Sequence, residues 1–504
     1  MTQYLRSTSR THPRRALLAA LVVGGALAGG LGLIATPLAA QNQVKVPPVR
    51  PLGAILARSS EPLGAVSTVV ALPDGRVLVN DILHRRVVMF DSTLTHVTVI
   101  ADSTSATANA YGARGGGLLS FGGDSALFID PASLSMMVIN AKGELASVRA
   151  VPRATEINLL VGGPNGRPGF DAAGRMVYRG QARPQGGPLG GRGGGRGVGG
   201  FGNGPGGGVE ITQPDSAPVV RVDLATRKVD TIAMVRIPRN EIKVTQGADG
   251  RPNISTTINP LPTIDDWALM HDGSIAIVRG HDFHVEWIGA DGTVTSSPKI
   301  SFDWQRLDDD AKQAIIDSAR AVLERRMAEA ERLGGARGGL GAVLGGGAGG
   351  DGGGPGGGGL GGGGFGGGGD RGGRGGAGGG GARGGGGGDG GAPPQRGAAA
   401  GGAASGPRTP TINMVAPSEL PDYRPPFGQQ GALGDEDGFL WVRTSEPVGT
   451  DGPVYYVIDR QNEVVARIQL PQGRMIAGFG KGGIVYLAFR DTEGNHRVER
   501  ASWK

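Results

Sequence analysis

The strongest constraint on this chain is a phrase that it repeats: an apolar segment, a tight turn built on glycine, and a second apolar segment. It occurs as "LPDGRVLVND" from Leu72, "GGDSALFID" from Gly122, "DAAGRMVYRG" from Asp171, "HDGSIAIVRG" from His271, "DEDGFLWVRT" from Asp435 and "GKGGIVYLAF" from Gly480. The glycine has a local cause. A two-residue hairpin needs positive φ at its centre, which glycine adopts without steric penalty and Asp or Asn tolerates. Each copy is followed by more strand-like sequence, such as "RVVMFDSTLTHVTVI" after the first and "YYVIDRQNEVVARIQL" after the fifth. The segments behind the turns are apolar on both faces: Leu78 stands between Val77 and Val79, and Ala276 between Ile275 and Ile277. Alternate residues of a strand point to opposite faces, so these strands predict sheets covered on both sides.

Repetition on this scale signals units that bury their faces against one another. Four-stranded antiparallel repeats of this kind predict an all-β fold, a six-bladed β-propeller. The last copy is one strand short, since the chain ends after "HRVERASWK", while "PLGAILARSS" at Pro51 to Ser60 precedes the first copy. That spare strand is expected to complete the final blade and close the ring. With "LPDGRVLVND", "RVVMFD" and their echoes in view, the chain resembles the NHL-type and related six-bladed β-propeller proteins over most of residues 51–504. The resemblance implies a central channel and a family whose members bind proteins or nucleic acid, or act as lyases and lactone hydrolases. No catalytic motif of that family can be carried over residue by residue.

Ninety-eight of the 504 residues are glycine, and they concentrate in two tracts, 183–208 inside the third copy and 334–407 between the fourth and fifth. Such tracts bury too little apolar surface to offset the entropy of ordering, which predicts disordered tethers. Their "RGGGRG" and "RGGRGG" strings could contact RNA, but an inert spacer is the expectation for an exported protein, and no nucleic-acid partner is predicted. In an antiparallel blade the second-to-third connection and the connection to the next blade leave on the same face, so both tracts should rise from one loop-rich face. Before the second tract, residues 305–333 place Ala311, Ile315, Ala319, Val322, Leu323 and Met327 at spacings of three and four. That is an amphipathic helix, acidic at its start and basic near its end in accord with the helix dipole. It reads as a lid on the ring or as a docking element on a tether. In "LPDYRPPF" at 420–427, the prolines hold the chain extended, and Tyr423 and Phe427 should be sheltered from water.

The N-terminus has four arginines and no acid up to Arg15, an apolar run from Ala16 to Leu33 and small residues before Ala40. This predicts a signal peptide over 1–40 with cleavage near Ala40, a linker over 41–50 and a propeller over 51–504, in a periplasmic or secreted monomer with no membrane span in the mature chain. An uncleaved anchor is the alternative, since the run approaches the ~18 residues that span a bilayer. Removing 1–40 lowers the formal net charge from +6 to +2, so the basic balance is largely a leader effect. With no cysteine, neither a disulfide nor a lipidated cysteine is available.

Charged residues recur where the second strand of each copy ends, on the loop-rich face. The candidate ligand-binding set is Asp81, Asp130, Arg179, Arg279, Arg443 and Arg490, beside Asn80 and Asp491. Convergent guanidinium groups can bind carboxylate or phosphate in bidentate fashion. "HDFH" at 281–284 gives two imidazoles without a third donor, and the other histidines are scattered, so no metal site and no cofactor are predicted. Paired carboxylates such as Asp265 with Asp266, or Asp435 to Asp437, flank turns and read as turn supports. No Gly-x-Ser-x-Gly elbow occurs. These features predict a binding or scaffold module for a protein, peptide or anionic small molecule. The alternative is a lactonase-like hydrolase or lyase holding calcium or zinc in the channel.

Overall fold

The computed structural model describes residues 46–103, 110–112, 115–162, 166–182, 209–246, 252–332, 411–446 and 452–504. The expected signal peptide over 1–40 and both glycine-rich tracts lie outside them. The chain enters through β1 (Val49–Pro51) and β2 (Ile55–Arg58), then forms a first sheet of β3 (Val66–Ala71), β4 (Val77–Asp81), β5 (Arg86–Phe90) and β6 (Val97–Asp102). A second sheet follows, of β7 (Gly117–Phe121), β8 (Ser125–Asp130), β9 (Ser135–Ile139) and β10 (Leu145–Ala150). After a helical turn, α1 (Ile157–Leu160), come β11 (Gly169–Phe170), β12 (Met176–Arg179), β13 (Val209–Thr212), β14 (Ser216–Val222) and β15 (Val229–Arg236). Of these, β11, β12, β14 and β15 make the third sheet.

The chain next forms β16 (Glu241–Gln246) and β17 (Pro252–Ile258), then a fourth sheet of β18 (Asp266–Leu269), β19 (Ile275–Arg279), β20 (His284–Ile288) and β21 (Val294–Ser296). Helix α2 (Asp309–Arg332) and β22 (Thr411–Met414) precede the fifth sheet, of β23 (Phe427–Gly434), β24 (Leu440–Thr444), β25 (Val454–Ile458) and β26 (Val464–Gln469). The sixth sheet holds β27 (Arg474–Gly480), β28 (Ile484–Arg490) and β29 (His496–Ser502). Its fourth strand is β2, which pairs antiparallel with β29 through Ile55↔Ala501, Ala57↔Arg500 and Arg58↔Glu499. β1 adds to the fifth sheet, parallel to β26, so part of the expected 41–50 linker is itself a strand.

The six repeat phrases each supply the turn after the first strand and the second strand of one of these sheets. Their turns carry the left-handed glycines that the hairpin requires, Gly75 at φ 88° and Gly273 at φ 81° among them. Burial on both faces is realised: Val77, Leu78 and Val79 are all fully enclosed. Their alternation sends Val77 and Val79 to one neighbouring sheet and Leu78 to the other. The first sheet thus shares one core with the second, through Leu78, Phe128 and Met137, and another with the sixth, through Val79, Tyr486 and Val498. Leu127 and Tyr178 join the second and third sheets, and Val177 and Ile277 the third and fourth. Val278 and Tyr456 join the fourth and fifth, and Trp441 and Leu487 the fifth and sixth. Each fully buried large aliphatic or aromatic side chain contributes about 1.5–3 kcal/mol, so the cohesion lies between sheets rather than within them. The fold is mostly β and of the propeller type.

A seventh sheet had no counterpart in the sequence reading. It runs β13–β16–β17–β22, with β22 parallel to β17 and the other pairs antiparallel. β13 follows the first glycine-rich tract and β22 the second, so the chain returns from both into one sheet. Helix α2 falls within the expected 305–333. Asp308 caps it by accepting the Ala311 N–H at 2.8 Å, and Ile316 and Lys312 are its buried residues. Lys312 Nζ donates to Asp422 Oδ1 at 2.7 Å, tying the helix to the segment that leads into β23. In that segment Phe427 is buried as expected. Tyr423 is 49% exposed, because it edges a bridge to Arg306 rather than entering the core. Among the described residues, no helix is long and apolar enough to cross a membrane.

Candidate functional site

The first strands of the six sheets line one cavity of ≈ 1100 Å³, with Val69, Leu118, Phe170, Trp267, Leu433 and Phe479 each taken from a different sheet. Its other lining residues include turns between first and second strands, with the exposed Gly122, Gly123 and His271 among them, and the end of β10 at Arg149 and Ala150. These tight turns form one mouth of the cavity. At this mouth His271 Nδ1 meets Glu436 Oε2 at 2.8 Å. The neighbouring Asp435 is a turn support, as read from sequence: it accepts the Asp437 and Phe439 N–H groups and the Trp441 Nε1–H.

Toward the other end stands Arg167, on the segment that leads into β11. Gly166 before it has φ 86°, and a Cβ there would lie 2.5 Å from Trp267 Nε1, so only glycine lets the segment lie against the inner strand of the fourth sheet. Arg167 Nη2 donates to the Ile476 carbonyl of β27 at 2.5 Å, linking the third sheet to the sixth. This is its one hydrogen bond among the described residues. A guanidinium carries five N–H donors, and Arg167 is among the residues that line the cavity. Burial lowers its pKa, but a guanidinium stays charged at any physiological pH. Tyr455 lies within the field of both Arg167 and Arg443; burial pushes its hydroxyl up, and the two cations pull the other way.

Asp266, grouped with Asp265 as a turn support in the sequence, behaves differently. Asp265 holds the Arg236 and Gly280 N–H groups and the Arg279 side chain at the strand ends. Asp266 is buried at the start of β18. Its Oδ2 accepts the Gly431 and Ala432 N–H groups of β23 at 2.7 and 3.0 Å, and its Oδ1 accepts the Trp267 N–H. Burial pushes its carboxyl up to about 6, opposed by these donors and by the charge of Arg179. It fastens the fourth sheet to the fifth.

The six candidate residues divide by environment. Asp81 is fully buried and holds the chain entering β3, accepting the Gly64 and Ala65 N–H groups, His84 Nδ1 and Arg86 Nε. Asp130 does the same for the second sheet, accepting from Gly112 and Ala132 N–H and from the Ser133 hydroxyl. Arg279 pairs with Asp265 at 2.8 Å and Glu286 at 2.6 Å, and Arg490 donates to the Gly494 carbonyl. Arg179 lies in the field of Asp266, while Arg443 and Arg167 both lie in the field of Tyr455. The structure thus brings one of the six, Arg443, to the surroundings of Arg167 and places Asp81, Asp130, Arg279 and Arg490 at loop and strand-end supports. Among the described residues no three histidine, aspartate or glutamate side chains converge as metal ligands.

No protein-family model matches the chain, and no curated protein matches it. Solved structures similar to it include a gluconolactonase from Xanthomonas campestris, at 9% identity and TM-score 0.33 over 91% of this chain and 98% of that one. Another is a virginiamycin B lyase from Staphylococcus aureus, at 8% and 0.32 over 88% and 97%. A third is the calcium-binding protein regucalcin from Agrobacterium tumefaciens, at 10% and 0.28 over 91% and 97%. The propeller-type assignment rests on the sheets and their shared cores.

Proposed function

We propose that the mature protein is an exported six-bladed propeller, closed by β2, that binds an anionic small molecule in its central cavity. The cyclic succession of shared cores, from first sheet to sixth and back to the first, supports six blades and closure. The N-terminal arginines, apolar run and small residues support export and residence in the periplasm or outside the cell. The ligand reading is carried by Arg167, whose half-buried side chain lines a cavity wide enough for a small molecule and, among the described residues, makes one hydrogen bond. Of the partner classes expected from sequence, a protein or peptide would need the loop-rich face, whereas an anionic small molecule fits this cavity. Arg443, which shares the surroundings of Tyr455 with Arg167, adds to the local positive potential.

The test is a calorimetric titration of residues 41–504 with propionate and with citrate, on wild type and Arg167→Gln. Binding of either anion by the wild type, lost in the variant while its circular dichroism and melting are retained, supports the reading. Equal behaviour of the two proteins refutes it.

A further inference from the structure

The cavity wall narrows the ligand class further, on the anion-binding reading above. Phe121, at the end of β7, and Phe170, at the end of β11, meet edge-on with ring centroids 4.8 Å apart, and both are half-buried on the wall. Two large rings left partly open inside a cavity form an apolar surface that another ring can cover. Phe170 follows Arg167 by three residues, so the intervening backbone spans at most about 10 Å. A molecule of that length can set an anionic group on the guanidinium while its body lies on the rings.

The charge lining the cavity restricts that group. Its acids are largely committed: Asp171 to Arg175 and Arg221 at 2.9 and 3.0 Å, Glu436 to His271, and Asp223 to the Ala225 and Thr226 N–H groups. Arg149 lies over the Phe121 ring at 5.3 Å. With Arg175 held by Asp171 and Arg149 stacked on the Phe121 ring, Arg167 is, among the described residues, the guanidinium beside these rings that is left to meet an anion, an environment suited to one negative charge and costly for two. We propose that the cavity takes an aromatic monocarboxylate, with its carboxylate on Arg167 and its ring against Phe121 and Phe170.

Four probes test this by titration of the mature chain: 3-phenylpropionate, propionate, 3-phenylpropan-1-ol and phenyl phosphate. 3-Phenylpropionate should bind about tenfold or more tighter than propionate, since burying a ring is worth at least that factor, and tighter than the alcohol, which has the ring but no charge for Arg167. Arg167→Gln should bring the acid down to the level of the alcohol. Phe121→Ala should bring it toward propionate, with Phe121→Leu intermediate, and melting curves establish that each variant folds. If propionate and 3-phenylpropionate bind equally and both depend on Arg167, the anion site stands and the aromatic assignment falls. Tighter binding of phenyl phosphate overturns the monocarboxylate assignment. If no probe shows dependence on Arg167, both readings fall.

Discussion

The proposed ring closes at the seam between the sixth and first sheets, and Gly478 sits in that seam. A Cβ built on Gly478 of β27 would lie 2.1 Å from the Val69 carbonyl oxygen of β3 and 3.0 Å from its carbon. Both partners are backbone of inner strands, held by their own ladders, so no side chain can swing aside. Gly478→Ala would force the two strands apart by roughly 1 Å. Overpacking of this kind typically costs about 1–3 kcal/mol, and a contact between two fixed backbones belongs at the upper end. With an unfolding entropy of about 2.1 cal/mol/K per residue over more than 300 described residues, about 3 kcal/mol corresponds to a fall in melting temperature of roughly 4–5 °C. Gly428 is the control: it lies in β23, a Cβ there meets nothing within 4 Å, and its φ is not left-handed. Gly428→Ala should be neutral or raise stability by about 0.4–1 kcal/mol through the unfolded chain. Differential scanning calorimetry of both variants reads the contrast. A Gly478→Ala protein that melts within a degree of wild type would refute the contact between these strands, and with it the seam.

Further outcomes follow from other contacts. Asp266 has a folded-state pKa of about 6, above the ordinary aspartate value of about 3.9, so protonation favours the folded state. Wild type therefore loses stability from this group as pH rises from about 4 to 6, by about 3 kcal/mol in all. Asp266→Asn cannot ionise, so the stability difference between the two proteins should move toward the variant across that window in urea titrations; a pH-independent difference contradicts the assignment. Tyr178 donates to Glu156 Oε2 at 2.6 Å, both residues being buried. Tyr178→Phe should cost about 1–3 kcal/mol by chemical denaturation, and a loss below 0.5 would show that the bond is not maintained. Starting the mature chain at residue 59 removes β1, β2 and the Arg58 pair with the fully buried Glu499 at 2.7 Å. The truncated chain should melt well below wild type, and an unchanged melting temperature would mean that β2 is a dispensable tail.

What the sequence reveals and what it hides follow from the range of the interactions. The glycine turns and doubly apolar strands of the six repeats are local in cause and therefore legible in the sequence. The spare N-terminal strand was legible for the same reason, as a missing strand at one end and an extra one at the other. The sheet of β13, β16, β17 and β22 was not, because "VEIT", "EIKVTQ", "PNISTTI" and "TINM" are short and mixed in polarity, and join across connections of very different length. Arg167 was missed because its role depends on Ile476, 309 residues away. The one available signal was an arginine among glycines and prolines just before a strand, in "GGPNGRPGF". Asp265 and Asp266 look equivalent in sequence. Alternation along the strand end keeps one at the strand-end contacts and turns the other inward, and only the neighbouring sheet shows which is which. The strand-end charges at Asp81 and Asp130 were located correctly by periodicity. The backbone N–H groups that occupy them belong to loops whose course the sequence did not disclose.

Every site described depends on the first and last segments of the chain meeting in one sheet, and the lack of cysteine makes that directly measurable. Ala57 and Arg500 are register partners across β2 and β29. Opposed residues on antiparallel strands hold their Cβ atoms about 4.5–5.5 Å apart, within a small adjustment of disulfide geometry. In the double variant Ala57→Cys with Arg500→Cys, mild oxidation should consume both thiols within the monomer, leaving none to titrate and raising the melting temperature in a way that reductant reverses. Thiols that stay free in folded protein, or that pair only between molecules, would contradict the closed ring.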